Sequence, residues 1–237
     1  MDELRKPFHQ QLQDIQADLI RMGARVIDAL PRVTDALLGD DQVVQQAIID
    51  GDDELDTLTL SVEDQCFTLL ARQQPVAGDM RALVTALRMC SEIERSGDLV
   101  VNIAKGAQRI RGTVIPPRLR GLIQDMSQQS ARLFDVAIEA YERQDADLAA
   151  ELDDLDDALD IVHREFIAAM VGRHDRDLEL QPAVQLALIG RYYERIGDHA
   201  VNVGERVRYM VTGWLPEPAA ARAEGSPQGG PGGTGYG

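Results

Sequence analysis

An internal repeat constrains the fold of this chain more than any other feature of its sequence. The string ERSGDLVVN, which begins at Glu94, returns as ERIGDHAVN at Glu194 with six of nine positions identical. Upstream of each copy, DDELD at Asp52 returns as DDALD at Asp156 with four of five positions identical. Two strings that recur in the same order indicate a duplicated structural unit. We therefore expect two related halves.

Each half is predicted to contain three amphipathic helices. Apolar residues recur at intervals of three and four from residue 4 to residue 38, which is typical of one helix face. The same pattern, interrupted by Gly and Pro, predicts further helices at about 41–71, from the RQQPVAGD break to 111, and at 117–143, 145–171 and 182–212. The sequence thus predicts an all-α fold of two tandem three-helix bundles related by a pseudo-twofold axis.

The predicted boundaries place the first bundle at residues 1–112 and the second at residues 113–214. Residues 215–237 are rich in Gly and Pro and are expected to form a disordered tail, because they offer too little apolar surface for a core.

Composition limits which classes of binding partner the protein can have and where in the cell it is expected. Forty acidic and 24 basic residues give a formal charge of −16, which repels phosphate backbones, so nucleic acid is not an expected partner. No apolar run reaches the roughly 20 residues of a membrane span, and the N-terminus lacks the apolar core of a signal peptide. We expect a cytoplasmic protein without membrane insertion. Cys66 and Cys90 lie in apolar helical runs without a metal-binding or redox spacing, which predicts buried free thiols.

Carboxylates spaced by four are the candidate functional residues. Residues four apart lie one turn apart on one helix face, so each repeated string supplies two neighbouring acids. On the third helix, apolar spacing places Glu94 inside the buried seam. The eight acids are Asp52, Asp56, Glu94 and Asp98 in the first half, and Asp156, Asp160, Glu194 and Asp198 in the second.

Small residues line the same face of the last helix. They include Gly190, Gly197 and Gly204, and Gly197 repeats Gly97 of the first half. A glycine inside a helix costs about 0.5–1 kcal/mol relative to alanine. We therefore expect another chain segment to approach this face closely in both halves.

Acids that converge from neighbouring helices would repel one another strongly. Two unit charges 4 Å apart repel by about 4 kcal/mol at an effective dielectric constant of 20, so each group is expected to hold cations or protons. Carboxylate ligation predicts a hard cation such as Mg, Mn, Ca or oxidised Fe, with Zn as an alternative that needs fewer ligands.

Three further polar residues lie near the acids. Asn102 and Asn202 are predicted either to bind the metal or to form hydrogen bonds between helices, and His199 to support a metal ligand. His163 is predicted to be a residue of the helix surface. The competing interpretation is that ordinary salt bridges with arginines neutralise the acids, without any metal. The arginines in question are Arg88, Arg95, Arg191 and Arg195.

Motifs of catalytic sites are absent from the sequence. It contains no phosphate-binding GxxxxGK[ST] loop, no GxGxxG after a strand and no GxSxG nucleophile turn. The chain is therefore predicted not to be an enzyme. A carboxylate-bridged metalloenzyme and a metal-free helical scaffold remain as alternatives.

These strings, together with LLARQQPVAGDMR and RVRYMVTGWLP, resemble the PhoU family over about residues 7–215. The resemblance implies paired three-helix bundles whose E/DxxxD motifs bind multinuclear metal clusters, with Fe, Zn, Mn or Mg as candidates. Carried over by position, the eight acids named above would form two sites, four acids in each. Ser96 departs from the apolar residue usual in the family and is not one of these acids.

The resemblance also implies a function. It predicts a negative regulator of phosphate uptake and phosphate-starvation signalling, an adaptor between the ATPase subunit of a phosphate ABC transporter and a sensor histidine kinase. The protein would lie in the cytoplasm or at the inner face of the membrane through the transporter. Its oligomeric state stays open, with a homodimer as one alternative.

Overall fold

A computed structural model describes residues 2–73, 75–172 and 179–214, and the predicted tail lies outside them. These residues form eight helices and no strand, which confirms the all-α prediction. The helices are α1 Asp2–Leu38, α2 Gln42–Asp50, α3 Asp52–Gln73, α4 Ala77–Arg109, α5 Pro117–Arg143, α6 Ala146–Ala150, α7 Leu152–Val171 and α8 Leu180–Thr212. None of these helices combines the length and hydropathy that crossing a membrane requires.

The six predicted helical segments are present, but the second and the fifth are bent. The bends lie at Gly51 and Glu151, which keep right-handed helical backbone angles (φ −83°, ψ −3° and φ −69°, ψ −16°). Each short helix before a bend begins with an aspartate cap. Asp41 and Asp145 accept hydrogen bonds from the backbone N–H groups two and three residues ahead, at 3.0–3.1 Å. The spacing of apolar residues continues through both bends, so it could not predict them.

The four long helices form the centre of the molecule. Helices α4 and α8 run antiparallel, since Thr85 Oγ1 donates to the Arg206 carbonyl at 3.3 Å and Arg109 donates to the Gln185 side chain at 3.4 Å. Helix α1 packs against α5 and α4, and α5 against α8. The shorter α3 and α7 lie against α4 and α8. One apolar core continues through both repeats, and the predicted boundary at residues 112–113 falls between α4 and α5.

A buried polar network ties the central helices to one another. The hydroxyl of Thr34 on α1 donates to the Leu30 carbonyl at 2.7 Å and lies 2.6 Å from the Tyr193 hydroxyl on α8. Ser127 on α5 lies 2.7 Å from the same Thr34 oxygen. Complete burial raises the pKa of Tyr193, so the phenol stays protonated and donates. Buried hydroxyls need partners, so this network specifies how α1, α5 and α8 pack.

The two cysteines are buried free thiols, as predicted. Burial raises the pKa of both Cys66 and Cys90 to about 12. Because the thiolate is the reactive form, these side chains act as small core residues.

Candidate functional site

The eight predicted acids form two groups on the outer helix pairs. The first group lies on α3 and α4, and the second on α7 and α8. The members differ in burial. Half-buried are Asp52, Glu94, Asp156, Asp160 and Glu194, whereas Asp56, Asp98 and Asp198 are exposed.

The first group brings its carboxylates close enough to repel one another. Burial raises the pKa of Asp52, and the charges of Asp98 and Asp56 raise it further. The pKa of Glu94 is raised by burial first and then by the same two aspartates. For both Asp52 and Glu94, one of the two aspartates lies on the same helix and the other on the neighbouring helix. The four acids of the first half therefore lie near enough to one another for their charges to interact.

In the second group, one acid has a strongly raised pKa. Burial raises the pKa of Asp156 to about 6, and the charges of Asp198 and Asp160 add to the effect. Burial also raises the pKa of Asp198, although Arg191 and His199 act in the opposite direction. In both groups, the charge of an aspartate on one helix raises the pKa of an acid on the neighbouring helix.

Two oxygens of the second group are buried without a partner. Asp156 Oδ1 and Glu194 Oε2 are shielded from solvent and accept no hydrogen bond from any described residue. Buried polar atoms are normally satisfied, and buried carboxylate oxygens most of all. A bound cation would satisfy both oxygens and relieve the repulsion. The donor set of this group therefore fits a metal ion.

The side chains are not arranged for coordination as they stand. Among the described residues, no three His, Cys, Asp or Glu side chains converge closely enough to hold a metal ion. Metal binding would require the carboxylates to rotate toward one another. An arginine also lies among them, because Arg191 forms an ion pair with Glu194. Arg95 instead lies 3.9 Å from Glu92, which is not one of the eight acids.

The predicted position of Glu94 inside the buried face of the third predicted helix, which is α4, needs correction. Glu94 lies at the edge of the buried face of α4, whereas Ile93 and Gly97 lie fully within it. Helix α4 packs against α1, α2, α3 and α8. Its buried face is therefore wider than a single stripe, and its centre cannot be located from spacing alone.

The repeated glycine lies where two helices approach closely, as predicted. A Cβ atom on Gly97 would collide with the Leu55 side chain of α3. A Cβ atom on Gly197 would lie 2.5 Å from Leu159 Cδ2 and 2.9 Å from Asp156 Oδ1. Glycine thus lets the acid-bearing helix approach its partner, and in the second half it leaves room for the carboxylate itself.

His199 and Asn202 contact a glutamate that the sequence did not single out. His199 Nδ1 lies 2.6 Å from Glu92 Oε2 on α4, and Asn202 Nδ2 donates to the same oxygen at 3.3 Å. Burial alone would raise the pKa of Glu92, but these hydrogen bonds hold it below its ordinary value. For Asn202, the predicted hydrogen bond between helices is confirmed. Asn102, its counterpart on α4, is half-buried.

His163 also differs from its prediction as a surface residue. Its Nε2 atom is buried and has no partner among the described residues. Burial lowers the pKa of His163, and the charge of Arg191 lowers it further. Its spacing of three from Asp160 is the only signal in the sequence that could have indicated its position near the acids.

A cleft opens beside the first group of acids. It has a volume of about 260 Å³ and is lined by residues of α1, α2, α3 and α4, among them Asp52, Gly97, Arg25 and Arg32. Arg25 binds Glu54 at 2.5 Å, and Arg32 binds Asp28 at 3.1 Å. Of the four acids of the first group, Asp52 is the one that lines this cleft.

Comparison with known proteins gives consistent matches. The PhoU domain family matches residues 19–107 and 123–207, once in each repeat. The chain is 36% identical over 214 residues to "Phosphate-specific transport system accessory protein PhoU homolog 1" of Mycobacterium tuberculosis, which covers 90% of this chain and 96% of that protein. A PhoU homolog of Clostridium acetobutylicum is 29% identical over 211 residues, covering 88% and 96%. The crystal structure of PhoU from Pseudomonas aeruginosa superposes with a TM-score of 0.82 at 27% identity, covering 87% of this chain and 100% of that one.

Proposed function

Since the chain belongs to the PhoU family, we propose that it is a regulatory accessory protein of a phosphate transport system. The relatives it matches are named as accessory proteins of such a system. This naming supports the prediction that the chain is not an enzyme.

The proposed role is that of an adaptor with two partners. One is the ATPase subunit of a phosphate ABC transporter, and the other is a sensor histidine kinase whose output the protein holds off when phosphate is plentiful. The formal charge of −16 suits docking on basic partner surfaces. Such contacts would place the protein in the cytoplasm, at the inner face of the membrane when it is bound to the transporter.

Metal binding at the two groups of acids is the second part of the proposal. The observation that carries it is the pair of buried, unpartnered oxygens on Asp156 and Glu194. Asp156 and Asp160 from α7 would hold the ion together with Glu194 and Asp198 from α8. The metal would supply positive charge that neutralises four mutually repelling carboxylates. The four acids on α3 and α4 would hold a second ion in the same way.

The chain's own residues prepare these sites in two ways. Gly197 leaves space for the Asp156 carboxylate between α7 and α8. Half-burial of five of the eight acids reduces the screening of their charges by water, so that a cation gains more from each of these five. A bound ion would therefore clamp each outer helix to a central one and hold the surface of the bundle in one shape.

A metal-free scaffold is the second candidate, and the ion pair of Arg191 with Glu194 favours it. Elemental analysis of the purified protein and thermal melting with and without chelator distinguish the two. Under the metal proposal, bound metal is present and chelation lowers the melting temperature, because a ligand that binds only the folded state stabilises it. Combining Glu94→Gln with Glu194→Gln should remove this chelator effect, and a variant at the exposed Asp125 should keep it. Absence of metal and of any shift would favour the scaffold.

The adaptor role has a separate genetic test. Deleting the gene should leave phosphate-starvation genes expressed in phosphate-rich medium, and the intact gene should restore repression. Unchanged expression after deletion would contradict the proposed role. The Glu94→Gln, Glu194→Gln variant in the same strain then shows whether repression depends on the acids.

A further inference from the structure

Four large apolar side chains on α3 and α4 are exposed to solvent. Leu60 and Phe67 of α3 are 67% and 59% exposed, and Met80 and Val84 of α4 are 40% and 37% exposed. Single exposed apolar residues are common, whereas a contiguous apolar surface marks an interaction site. The packing of the two helices decides whether these four residues lie together.

Helices α3 and α4 pack antiparallel. The Cys90 thiol donates to the Thr59 carbonyl at 3.7 Å. A Cβ atom on Gly97 would collide with the Leu55 side chain. Residues that come after Thr59 on α3 are therefore level with residues that come before Cys90 on α4.

This register brings the four apolar residues to one end of the helix pair. Phe67 and Val84 each lie about two turns from the cysteine contact, toward the same end. Leu60 lies two turns before Phe67 on one face of α3, and Met80 lies one turn before Val84 on one face of α4. We call these four residues the α3–α4 apolar surface.

The two helices turn their parts of this surface toward the same side. Asp56 lies one turn before Leu60 on the same face of α3, and Asp98 lies about four turns after Val84 on the same face of α4. The charges of Asp56 and Asp98 both raise the pKa of Glu94, so the two faces lie close to each other. The α3–α4 apolar surface therefore continues the faces that carry the acids.

Three positions of this surface are apolar and exposed in both repeats. Aligned through the repeated strings, the pairs are Phe67 with Val171, Met80 with Leu180 and Val84 with Val184. An exposed apolar residue contributes little to the core. Its recurrence at three matched positions therefore points to a binding role.

Acids interrupt the apolar surface in the first repeat only. The half-buried Glu63 and the exposed Asp64 lie between its two α3 residues, on the same face. Their counterparts in the second repeat are Ile167 and Ala168, and the first α3 residue is replaced there by Arg164. A basic side chain is therefore attracted to the surface of the first repeat and not to its counterpart.

The size and charge of the surface fit one helix of another protein better than a second copy of this chain. Its four side chains expose roughly 400 Å². A stable dimer buries about 800 Å² on each partner. Two copies would also each bring a formal charge of −16, and the same charge disfavours anionic lipid surfaces.

We propose that the α3–α4 apolar surface binds an amphipathic helix of a partner protein, whose Lys or Arg side chains pair with Glu63 and Asp64. The apolar face of that helix covers Phe67 and Val84, as in other complexes of a helix with an apolar groove. Its basic side chains lie along α3, away from the exposed Arg88 on α4. This inference rests on the adaptor role proposed above and names the face through which one of the two partners docks.

The affinity test makes the same kind of change in both repeats. The purified ATPase subunit of the transporter and the cytoplasmic part of the kinase are each titrated with the full chain. Leu60→Gln, Phe67→Gln should raise the Kd for one of them about tenfold or more. Val171→Gln, Val184→Gln is the matched control and should leave that Kd within about twofold. All four side chains are exposed, so neither double variant should change the melting temperature.

Charge reversal tests the basic side of the bound helix. Asp64→Lys should raise the same Kd about tenfold at low salt and less at high salt, because salt screens the attraction. Asp125→Lys changes the net charge equally on the exposed surface of α5 and should leave the Kd unchanged. Equal effects of the two lysine variants would overturn the pairing with Glu63 and Asp64.

Cross-linking identifies what covers the surface. A photoreactive phenylalanine analogue at position 67 is irradiated in the presence of each partner, and the linked peptide is sequenced by mass spectrometry. The expected peptide has apolar residues at intervals of three and four with Lys or Arg beside them. A link to a second copy of this chain, to its residues 215–237 or to a partner segment without this pattern would overturn the inference.

The outcomes separate this inference from the adaptor role. Selective loss of affinity in the first-repeat variant, with a cross-link to a basic amphipathic segment, supports both. Unchanged affinity in that variant, or an equal loss in the second-repeat control, would overturn the docking surface and leave the adaptor role standing. Failure of the intact protein to bind either partner would overturn both.

Discussion

Replacing Asp156 with Asn is expected to stabilise the metal-free protein at neutral pH. Burial, followed by the charges of Asp198 and Asp160, raises the pKa of Asp156 from 3.8 to about 6. The folded state therefore binds this proton more tightly than the unfolded state. The stability that comes from the proton is fully present below pH 3.8 and is lost as the pH rises through about 6. Asparagine is neutral at every pH, so the stability of the variant does not fall as the pH rises through this range.

The magnitude follows from the size of the pKa shift. A rise of about 2 units corresponds to about 3 kcal/mol at about 1.4 kcal/mol per unit. Asp156 is only half-buried, and solvent screening reduces such energies for partly exposed groups. We expect the variant to gain about 1–1.5 kcal/mol at pH 8. The substitution loses no hydrogen bond at Oδ1, which has no partner among the described residues.

Urea unfolding in the presence of chelator measures this gain. Asp125→Asn is the matched control, because Asp125 is exposed on α5 and its replacement changes the net charge by the same amount. The difference between the two variants should be roughly twice as large at pH 8 as at pH 5. Equal unfolding free energies for the two variants, or a difference independent of pH, would refute the repulsion on which the expectation of a cation depends.

Three further experiments, which use four substitutions, test the packing and the contacts between repeats. Gly197→Ala should lower the unfolding free energy by about 1–3 kcal/mol in urea titration, because its Cβ would collide with α7; an unchanged value would contradict the close approach. Tyr193→Phe should cost about 1 kcal/mol by removing the hydrogen bond to Thr34, and a variant as stable as the wild type would show that this bond adds nothing. Glu92→Gln and His199→Leu should show a coupling of about 1–2 kcal/mol in a double-mutant cycle, whereas strictly additive losses would exclude a specific contact.

Repetition and periodicity were enough to predict most of the fold. The two copies of ERxGDxxxN and DDxLD predicted a duplicated all-α chain, and the periodicity predicted the six helical segments that the structure contains. Gly97 and Gly197 predicted close approach, because only a demand for space explains a repeated glycine inside a helix. The pairing of acids within each helix was also predictable, since a spacing of four specifies one face.

Other features depended on which helices meet. Glu92 reads as one more acid on an acidic helix, and only the antiparallel packing of α4 on α8 brings it to His199. Glu94 lies at the edge of the buried face because α4 packs against four neighbours.

The sequence by itself determined what is local to one helix: its length, its apolar face, its glycines and the spacing of its acids. Only the tertiary structure decided which polar atoms find partners and which, like His163 Nε2 and Asp156 Oδ1, are buried without one. The physical reason is that helical periodicity arises from hydrogen bonds four residues apart. Burial and electrostatic repulsion arise between side chains that are distant in sequence, and their positions follow from the packing of the whole bundle.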